Sequence, residues 1–298
     1  MNQDLIKLVK KTYGLKIVSS SLQEGSYSKR VWEITTATNQ KFILKLLSGY
    51  DEKDLLHFQA ETYFCEFVNS NIAELKTLQY LKNTNGDMIQ LFRPEFNDYF
   101  VIMEKHPIIH KPYLTSEEQI NLGKLIASVH KKLKGFDHPG LWTTDWMRKV
   151  DNETEILLRR EFPDLEFMKY KKFMKPLDYE GFGLELITIH GDWHQANMSF
   201  TNPPFLFDLD TLSRGSRVEE LARTLTHWDD DLSKIKIFYD NLITGYEDLK
   251  DEEIALIPKL IMAQLYNKYG EFSGHKDLKN SQRIKNSIPI VRKLFKLI

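Results

Sequence analysis

The stretch ITIHGDWHQANMSF, residues 187–200, is followed two residues later by PPFLFDLDTL, residues 203–212. Between His190 and Asp210 it gathers His190, Asp192, His194, Asn197, Asp208 and Asp210, delivered by two apolar strand-like runs, LITI and FLF. Carboxylates at the ends of apolar strands are costly to bury unpaired and call for a metal, a cation or water. Asp208 and Asn197 offer hard oxygen donors of the kind Mg²⁺ takes. Asp192, five residues before Asn197, is placed to act as general base for a hydroxyl beside a metal-bound phosphate. Two other readings stand beside this one. His190, Asp192 and His194 have period two and could present three ligands to Zn²⁺, although Gly191 favours a turn over a strand. A turn capped by Asp and Asn side chains is the purely structural alternative.

Working outward, the chain downstream reads as helices: VEELARTLTHW, SKIKIFYDNLITGY, EIALIPKLIMAQLYNKY and SIPIVRKLFKLI. Upstream, Thr115 with Glu118 forms a capping box before an apolar stripe of Ile120, Leu122, Leu125, Val129 and Leu133. Before residue 105 the pattern changes to strands: LKIVSSSL, KRVWEITT, KFILKLL, ELKTLQYL, DMIQLF and YFVIME. Asn85-Gly86 supplies a hairpin signal. A short amphipathic helix through Leu5, Ile6, Leu8 and Val9 precedes these strands, and a longer one runs from Asp51 to Val68. The expectation is an α+β protein: a small antiparallel β-rich lobe over 1–104 and a larger, mostly helical lobe over 105–298. Ligands favour the crevice between two such lobes.

The chain has 298 residues, 42% hydrophobic and 28% charged, with net charge −1. That composition excludes a disordered chain, a coiled coil and a collagen-like repeat. Balanced charge gives no global field to draw nucleic acid. No apolar run is long enough to span a membrane, and the N-terminus lacks the continuous apolar segment of a secretory signal. The single cysteine, Cys65, rules out an intramolecular disulfide and points to a reducing compartment. A cytoplasmic location is expected. Locally, acidic residues dominate from Glu219 to Glu253 and basic ones from Lys268 to Lys296. Solvated helix faces are the plain account of this, and an acidic wall beside a pocket for a cationic substrate is the sharper one.

The β-rich part adds weaker signals. Lys45 sits among apolar neighbours in KFILKLL, where a lysine usually snorkels from an edge strand. Glu61, on the following helix, could pair with it, with Glu66 as competitor. The turn holding Gly25 and Ser26 is too glycine-poor to be a phosphate loop by pattern.

Turn, lysine, helix glutamate, linker, Asp…Asn, then Asp is the order of working parts in a protein-kinase-like phosphotransferase. In this order, with HGDWHQAN, FLFDLD, RVEELART and GKLIASVHKKL, the chain resembles the aminoglycoside phosphotransferase and choline kinase-like family. The resemblance implies a bilobal protein-kinase-like fold and transfer of a γ-phosphoryl group from ATP, or GTP, to a hydroxyl. It implies Asp192 as base and Asn197 and Asp208 as Mg²⁺ ligands. Lys45 would meet the nucleotide phosphates, Glu61 would hold Lys45, and Gly25 and Ser26 would offer donors. Met103, Glu104 and Lys105 would lie nearest the adenine. The acceptor implied is a small hydroxylated molecule, with a cationic one favoured if the acidic stretch and Trp142, Trp146, Trp228, Tyr239 and Tyr246 line its pocket. Alternatives are a protein-hydroxyl kinase of the same fold, as in bacterial stress-response members, a pseudokinase-like binding module, and the zinc hydrolase above.

Overall fold

The computed structural model describes residues 1–23, 30–143, 152–162, 166–174, 177–227 and 232–297. It divides into two compact units. The first comprises Met1–Ile109, His138–Gly140 and Phe200–Asp210, and the second comprises His110–Asp137, Leu141–Ser199 and Thr211–Ile298. The sheet-bearing unit thus runs past the expected 104/105 boundary to Ile109. It also takes in the FLFDLD run, so Asp208 belongs to the first unit and Asp192 to the second.

The first unit opens with α1 (Gln3–Tyr13), whose N-cap Asn2 accepts from the Asp4 N–H and whose end is closed by Gly14 at φ 69°. Strands β1 (Ile17–Leu22), β2 (Val31–Thr36) and β3 (Lys41–Leu47) lead into α2 (Glu52–Asn71). Strand β4 (Lys76–Thr77) follows, then β5 (Gln90–Arg93) and β6 (Asp98–Glu104). The five-stranded antiparallel sheet has the order β1-β2-β3-β6-β5. Strand alternation assigns its two faces. Ile34, Phe42, Leu44, Phe100 and Ile102 pack against Leu5 and Val9 of α1 to form a buried core. Ile43, paired with Met103, and Lys45, paired with Val31, therefore point to the other face. Lys45 lies on a central strand, because β3 has β2 on one side and β6 on the other.

ELKTLQYL does not form one strand, because its backbone is shared between two partners. Lys76 and Thr77 pair in parallel with β10 (Phe205–Leu206), whereas Leu81 donates to Ile102 O and Gln79 O accepts from Glu104 N–H. The turn after it is organised by Asn83, whose Oδ1 accepts from the Asn85 and Asp87 amides at 2.8 and 3.0 Å. An Asx-type turn of this kind stands in for a two-residue hairpin.

The second unit begins with α3 (Ser116–Leu133), opened by the expected Thr115–Glu118 capping box. A three-stranded sheet, in the order β7-β11-β8, combines β7 (Trp142–Thr143), β8 (Ile187–Ile189) and β11 (Ser213–Gly215). The short strand β9 (Met198–Ser199) follows the candidate catalytic loop. The remaining helices are α4 (Asn152–Glu161), α5 (Arg217–His227), α6 (Ile235–Tyr246), α7 (Asp251–Gly274) and α8 (Leu278–Leu294). α3 packs on α6, and α7 packs on α4, α5 and α8. Backbones approach closely at the α3–α6 crossing. A Cβ added at Gly123 would collide with the Leu242 carbonyl oxygen, and one at Gly245 with that of Ile120. Among the described residues, no helix is long and apolar enough to cross a membrane.

Candidate active site

In the sheet-bearing unit, a cavity of about 370 Å³ is lined by Val31, Ile43, Met103 and Phe207, with Lys45, Glu61 and Asp208 contributing charge. Glu104 and Lys105 also line it, so five of the residues expected on the nucleotide side, with the expected metal ligand Asp208, surround one space. Gly25 and Ser26 lie outside the described residues. A wider groove of about 770 Å³ on the same unit, lined by Asn69, Lys76, Gln79 and Lys82 among others, includes none of Lys45, Glu61 and Asp208. Of the two, only the smaller cavity gathers these charged side chains.

Lys45 Nζ lies 3.4 Å from Asp210 Oδ1. Burial works against its ammonium, but the carboxylates of Glu61, Asp210 and Asp208 outweigh that and keep it protonated. Glu61, itself buried, presents Oε1 to His57 Nε2 at 3.7 Å rather than forming a close pair with Lys45. Glu66 is bound elsewhere, 2.7 Å from Lys82 Nζ. The backbone of the linker is tied down by the Glu104 N–H bond to Gln79 O (2.9 Å) and by the Lys105–Glu33 ion pair (2.5 Å). Asp208 adopts φ 62°. This left-handed conformation is uncommon outside glycine and asparagine-like residues and concentrates at functional sites.

In the second unit, β8 delivers the loop His190–Asn197. Gly191 takes φ 82°, a conformation that suits glycine. Both of its backbone groups are held by α5: its N–H donates to Glu220 Oε1, and its carbonyl accepts from Arg223 Nε. Glu220 Oε2 accepts from the His190 N–H at 3.2 Å and lies 2.8 Å from His130 Nε2. His130 Nδ1 is 2.7 Å from the Tyr246 hydroxyl. Thr211 Oγ1 donates to His190 O at 2.7 Å, and the buried Trp193 ring anchors the loop from inside. Carboxylate, guanidinium, imidazole and phenol from three helices thus fix the backbone that carries Asp192.

The Asp192 carboxylate is surrounded by donors. Asn197 Nδ2 donates to Oδ2 at 2.9 Å and to the Asp192 carbonyl at 3.2 Å. His194 Nδ1 accepts the Ala196 N–H at 3.2 Å, so its proton resides on Nε2, which donates to Asp192 Oδ2 at 3.2 Å. His227 Nδ1 lies 2.5 Å from Oδ1. Burial opposes the charged form of Asp192, but the hydrogen bonds from His194 and His227 prevail and hold its carboxyl well below the usual range. Burial and the nearby Lys268 push His227 down to about 3, so its imidazole is neutral. Burial and Arg223 likewise push Lys268 down to about 7.

Asp192, His194 and His227 bring one ligand atom each within 4.8 Å of one another. His190 is not part of that group; its Nδ1 accepts the Asp192 N–H at 3.1 Å. The period-two zinc set read from the sequence is therefore not the one the fold assembles, because Gly191 turns the chain out of strand conformation. Asn197 spends its amide on Asp192, which leaves its Oδ1 available as an oxygen ligand. That amide oxygen, like the carboxylate of Asp208 in the first unit, is a hard oxygen donor of the kind a divalent cation takes.

Three of the aromatic and acidic residues that could line an acceptor pocket serve the fold, while Glu247, Asp248, Asp251 and Glu252 are exposed. Tyr246 is buried against His130, Tyr239 packs edge-on to Phe295 at 5.0 Å, and Glu253 pairs with Arg217 at 2.5 and 2.7 Å. Trp146, Trp228 and Asp229–Asp231 lie outside the described residues. The sequence reading missed Glu220, Arg223 and His227. Their signal was their spacing, i, i+3 and i+7 on one face of a short helix, polar groups where an apolar stripe would otherwise run.

A family model described as the phosphotransferase enzyme family matches residues 21–255. No curated protein matches the chain. Among solved structures, an amicoumacin kinase in complex with AMP-PNP, Ca²⁺ and Ami aligns with TM-score 0.71 at 14% identity, covering 99% of this chain and 93% of that one. A microcompartment-associated aminopropanol kinase aligns with TM-score 0.69 at 14% identity, covering 99% and 97%. The choline kinase LicA from Streptococcus pneumoniae aligns with TM-score 0.60 at 13% identity, covering 97% and 98%. These likenesses establish the protein-kinase-like fold expected from the sequence, with an antiparallel sheet in the N-terminal part and helices in the C-terminal part. Matched by the family model over most of its length, the chain belongs to the phosphotransferase enzyme family.

Proposed function

We propose that the protein transfers the γ-phosphoryl group of a nucleoside triphosphate, ATP or GTP, to a hydroxyl of a small molecule. The observation that carries this reading is the Asp192 carboxylate, held ionised by three side-chain donors on a loop whose backbone is fixed from α5. Asn197, which orients Asp192, keeps an oxygen free for a cation.

The roles follow from charge and geometry. The apolar walls of the 370 Å³ cavity suit a purine base, and Lys45, kept charged by its carboxylate neighbours, suits polyphosphate. Asn197 Oδ1 and the Asp208 carboxylate would hold Mg²⁺, which when bound neutralises phosphate charge. Asp192 accepts the hydrogen bond of the acceptor hydroxyl and orients its oxygen in line. The acceptor oxygen forms the new O–P bond, the bond to the β–γ bridging oxygen breaks with its electron pair leaving on the nucleoside diphosphate, and the hydroxyl proton passes to Asp192. A carboxylate of such low basicity is suited to orienting the hydroxyl and taking its proton late, as a loose phosphoryl-transfer transition state requires. Positioning and electrostatics supply most of the rate.

Small hydroxylated acceptors are favoured because the related folds act on, or are bound to, amicoumacin, aminopropanol, kanamycin and choline according to their descriptions. The test is thermal unfolding against ATP and GTP, each with and without Mg²⁺. A nucleotide that binds only the folded chain raises its stability by RT ln(1 + [L]/Kd). A Mg²⁺-dependent rise with either nucleotide is expected. Absence of any shift at millimolar nucleotide would remove the donor site and the proposal with it.

A further inference from the structure

Asp192 is not free to present either oxygen at random. Oδ2 receives two donors, Asn197 Nδ2 and His194 Nε2, and a carboxylate oxygen has two lone pairs. Among the described residues Oδ1 receives one, from His227, and with respect to them keeps one lone pair. The donor on Oδ1 comes from the last residue of α5, the same helix that grips Gly191 through Glu220 and Arg223. The end of that helix is itself pinned by Lys268 of α7, whose Nζ donates to Thr226 O at 2.9 Å. Among the described residues, no other hydrogen bond of the His227 ring is present. A ring that bonds the base and meets the His194 ring edge-on at 5.8 Å, on a helix anchored to the base's own loop, is a clamp on the direction in which that base faces.

We propose that His227 is a positioning residue for phosphoryl transfer. Its Nδ1–H occupies one lone pair of Asp192 Oδ1 and fixes the other as the single acceptor for the incoming hydroxyl. The inference rests on the reading of Asp192 as the base. His227 itself neither gains nor loses a proton during transfer; the hydroxyl proton goes to Asp192. The surroundings enforce the required tautomer. Arg223 and Lys268 face the same region and disfavour an imidazolium, and Asp192 is an acceptor only, so the single proton of the ring belongs on Nδ1. His194 is already committed, Nε2 to Asp192 and Nδ1 to the Ala196 amide, and supplies no alternative proton. Glu220 and Glu271 complete the charges that act on Arg223.

The same geometry argues against reading Asp192, His194 and His227 as a transition-metal site. A divalent cation there would sit beside both Arg223 and Lys268, and it would displace the hydrogen bonds that orient the base.

The test uses the full chain with ¹⁵N-labelled histidines, and the variants His227→Ala, His227→Asn and Asp192→Ala. Asn places an amide N–H close to where imidazole Nδ1 stands, so it restores the donor without a titratable ring. Imidazole ¹⁵N shifts require no acceptor. They are expected to report His227 protonated on Nδ1 and unprotonated on Nε2 across about pH 5–9, with the signal perturbed in Asp192→Ala. Turnover is then measured with MgATP against choline, aminopropanol, spectinomycin and kanamycin, with hydrolysis to water as the fallback readout. His227→Ala is expected to lose about 10²-fold in kcat, the scale of a misplaced catalytic group, with KM for nucleotide near wild type. His227→Asn is expected to recover most of that loss without moving the acid limb of the pH profile.

An imidazole protonated on Nε2 overturns the inference. So does wild-type kcat in His227→Ala while Asp192→Ala is inactive, a result that leaves the base reading intact. Equal, deep losses in His227→Ala and His227→Asn, with both folded, also overturn it, because they would require the ring to carry a proton. Turnover surviving in Asp192→Ala would instead sink the base reading on which the inference stands.

Discussion

Replacing Glu220 with Gln is a change of one atom in a buried side chain, and the structure says what it should do. Glu220 is 1% exposed and accepts from two backbone amides, those of His190 and Gly191, while also meeting His130. A glutamine can keep only one of its two terminal atoms as an acceptor. With its NH₂ at the Oε1 place, the Gly191 N–H is stranded. With its NH₂ at the Oε2 place, the His190 N–H is stranded, and His130 must shift its proton toward Tyr246 to avoid a second clash. Either way at least one buried amide loses its partner, at about 1–3 kcal/mol, and the surviving bonds lose their charge assistance. The expected destabilisation of Glu220→Gln is about 2–3 kcal/mol by urea unfolding at neutral pH. Because the stranded amides belong to the residues just before Asp192, kcat should also fall, by about tenfold or more, even at temperatures where the variant is fully folded. Stability within about 0.5 kcal/mol of wild type, together with unchanged kcat, would refute the claim that Glu220 holds the loop.

Four further outcomes follow from single contacts. Lys268 has a folded-state pKa pushed down to about 7 from 10.5, so its contribution to stability is full above about pH 10.5, falls as the pH drops toward 7 and is lost below that. Lys268→Met should therefore flatten the rise in stability between about pH 7 and 10, as read by urea unfolding at each pH, and a rise as steep as that of wild type would contradict the assignment. Gly123→Ala should destabilise by about 1–3 kcal/mol despite alanine's better helix propensity, because its Cβ meets the Leu242 carbonyl at the α3–α6 crossing; a gain in melting temperature would contradict the packing described. Lys45→Ala should weaken nucleotide binding by about 10–100-fold in calorimetry, the value of a lost charge-assisted contact, with little change in unfolding. Asp210→Asn should weaken nucleotide binding less than Lys45→Ala does, since Glu61 and Asp208 still act on the lysine; an equal loss would make Asp210 a nucleotide or metal contact in its own right.

What the sequence showed, it showed through local pattern. Strands β2, β3 and β6 were legible because their apolar runs are unbroken, and α3 because Thr115 and Glu118 write its start. The spacing of Asp192, Asn197 and Asp208 was readable because loop and strand keep those residues close in sequence. Illegible features were those that depend on partners far along the chain. ELKTLQYL looked like one strand, yet its first half pairs with Phe205–Leu206 and its second with β6, a split that no window of eight residues can reveal. Lys45 looked like an edge-strand lysine because nothing local says that β3 is central. Glu61 was expected to hold Lys45, and it is the foremost of the charges that favour the Lys45 ammonium; Asp210, which comes to 3.4 Å, is the partner that nothing local announces. Glu220, Arg223 and His227 meet the candidate base 28–35 residues after it in the chain, and only the packing of α5 against the loop gives their polarity a purpose. The acidic run around Glu253 left solvated helix faces and a substrate wall both open; Glu253 itself reaches Arg217 of α5 and also closes the first turn of α7, contacts that no local window reveals.

The most direct measurement of the central claim is a paired one on wild type and Asp192→Ala: nucleotide affinity by calorimetry and MgATP turnover on the same preparations. The account predicts nucleotide affinity within about threefold of wild type and turnover lowered by at least about 10³-fold, about 4 kcal/mol of barrier. Turnover near wild type in Asp192→Ala, with nucleotide still bound, would contradict it.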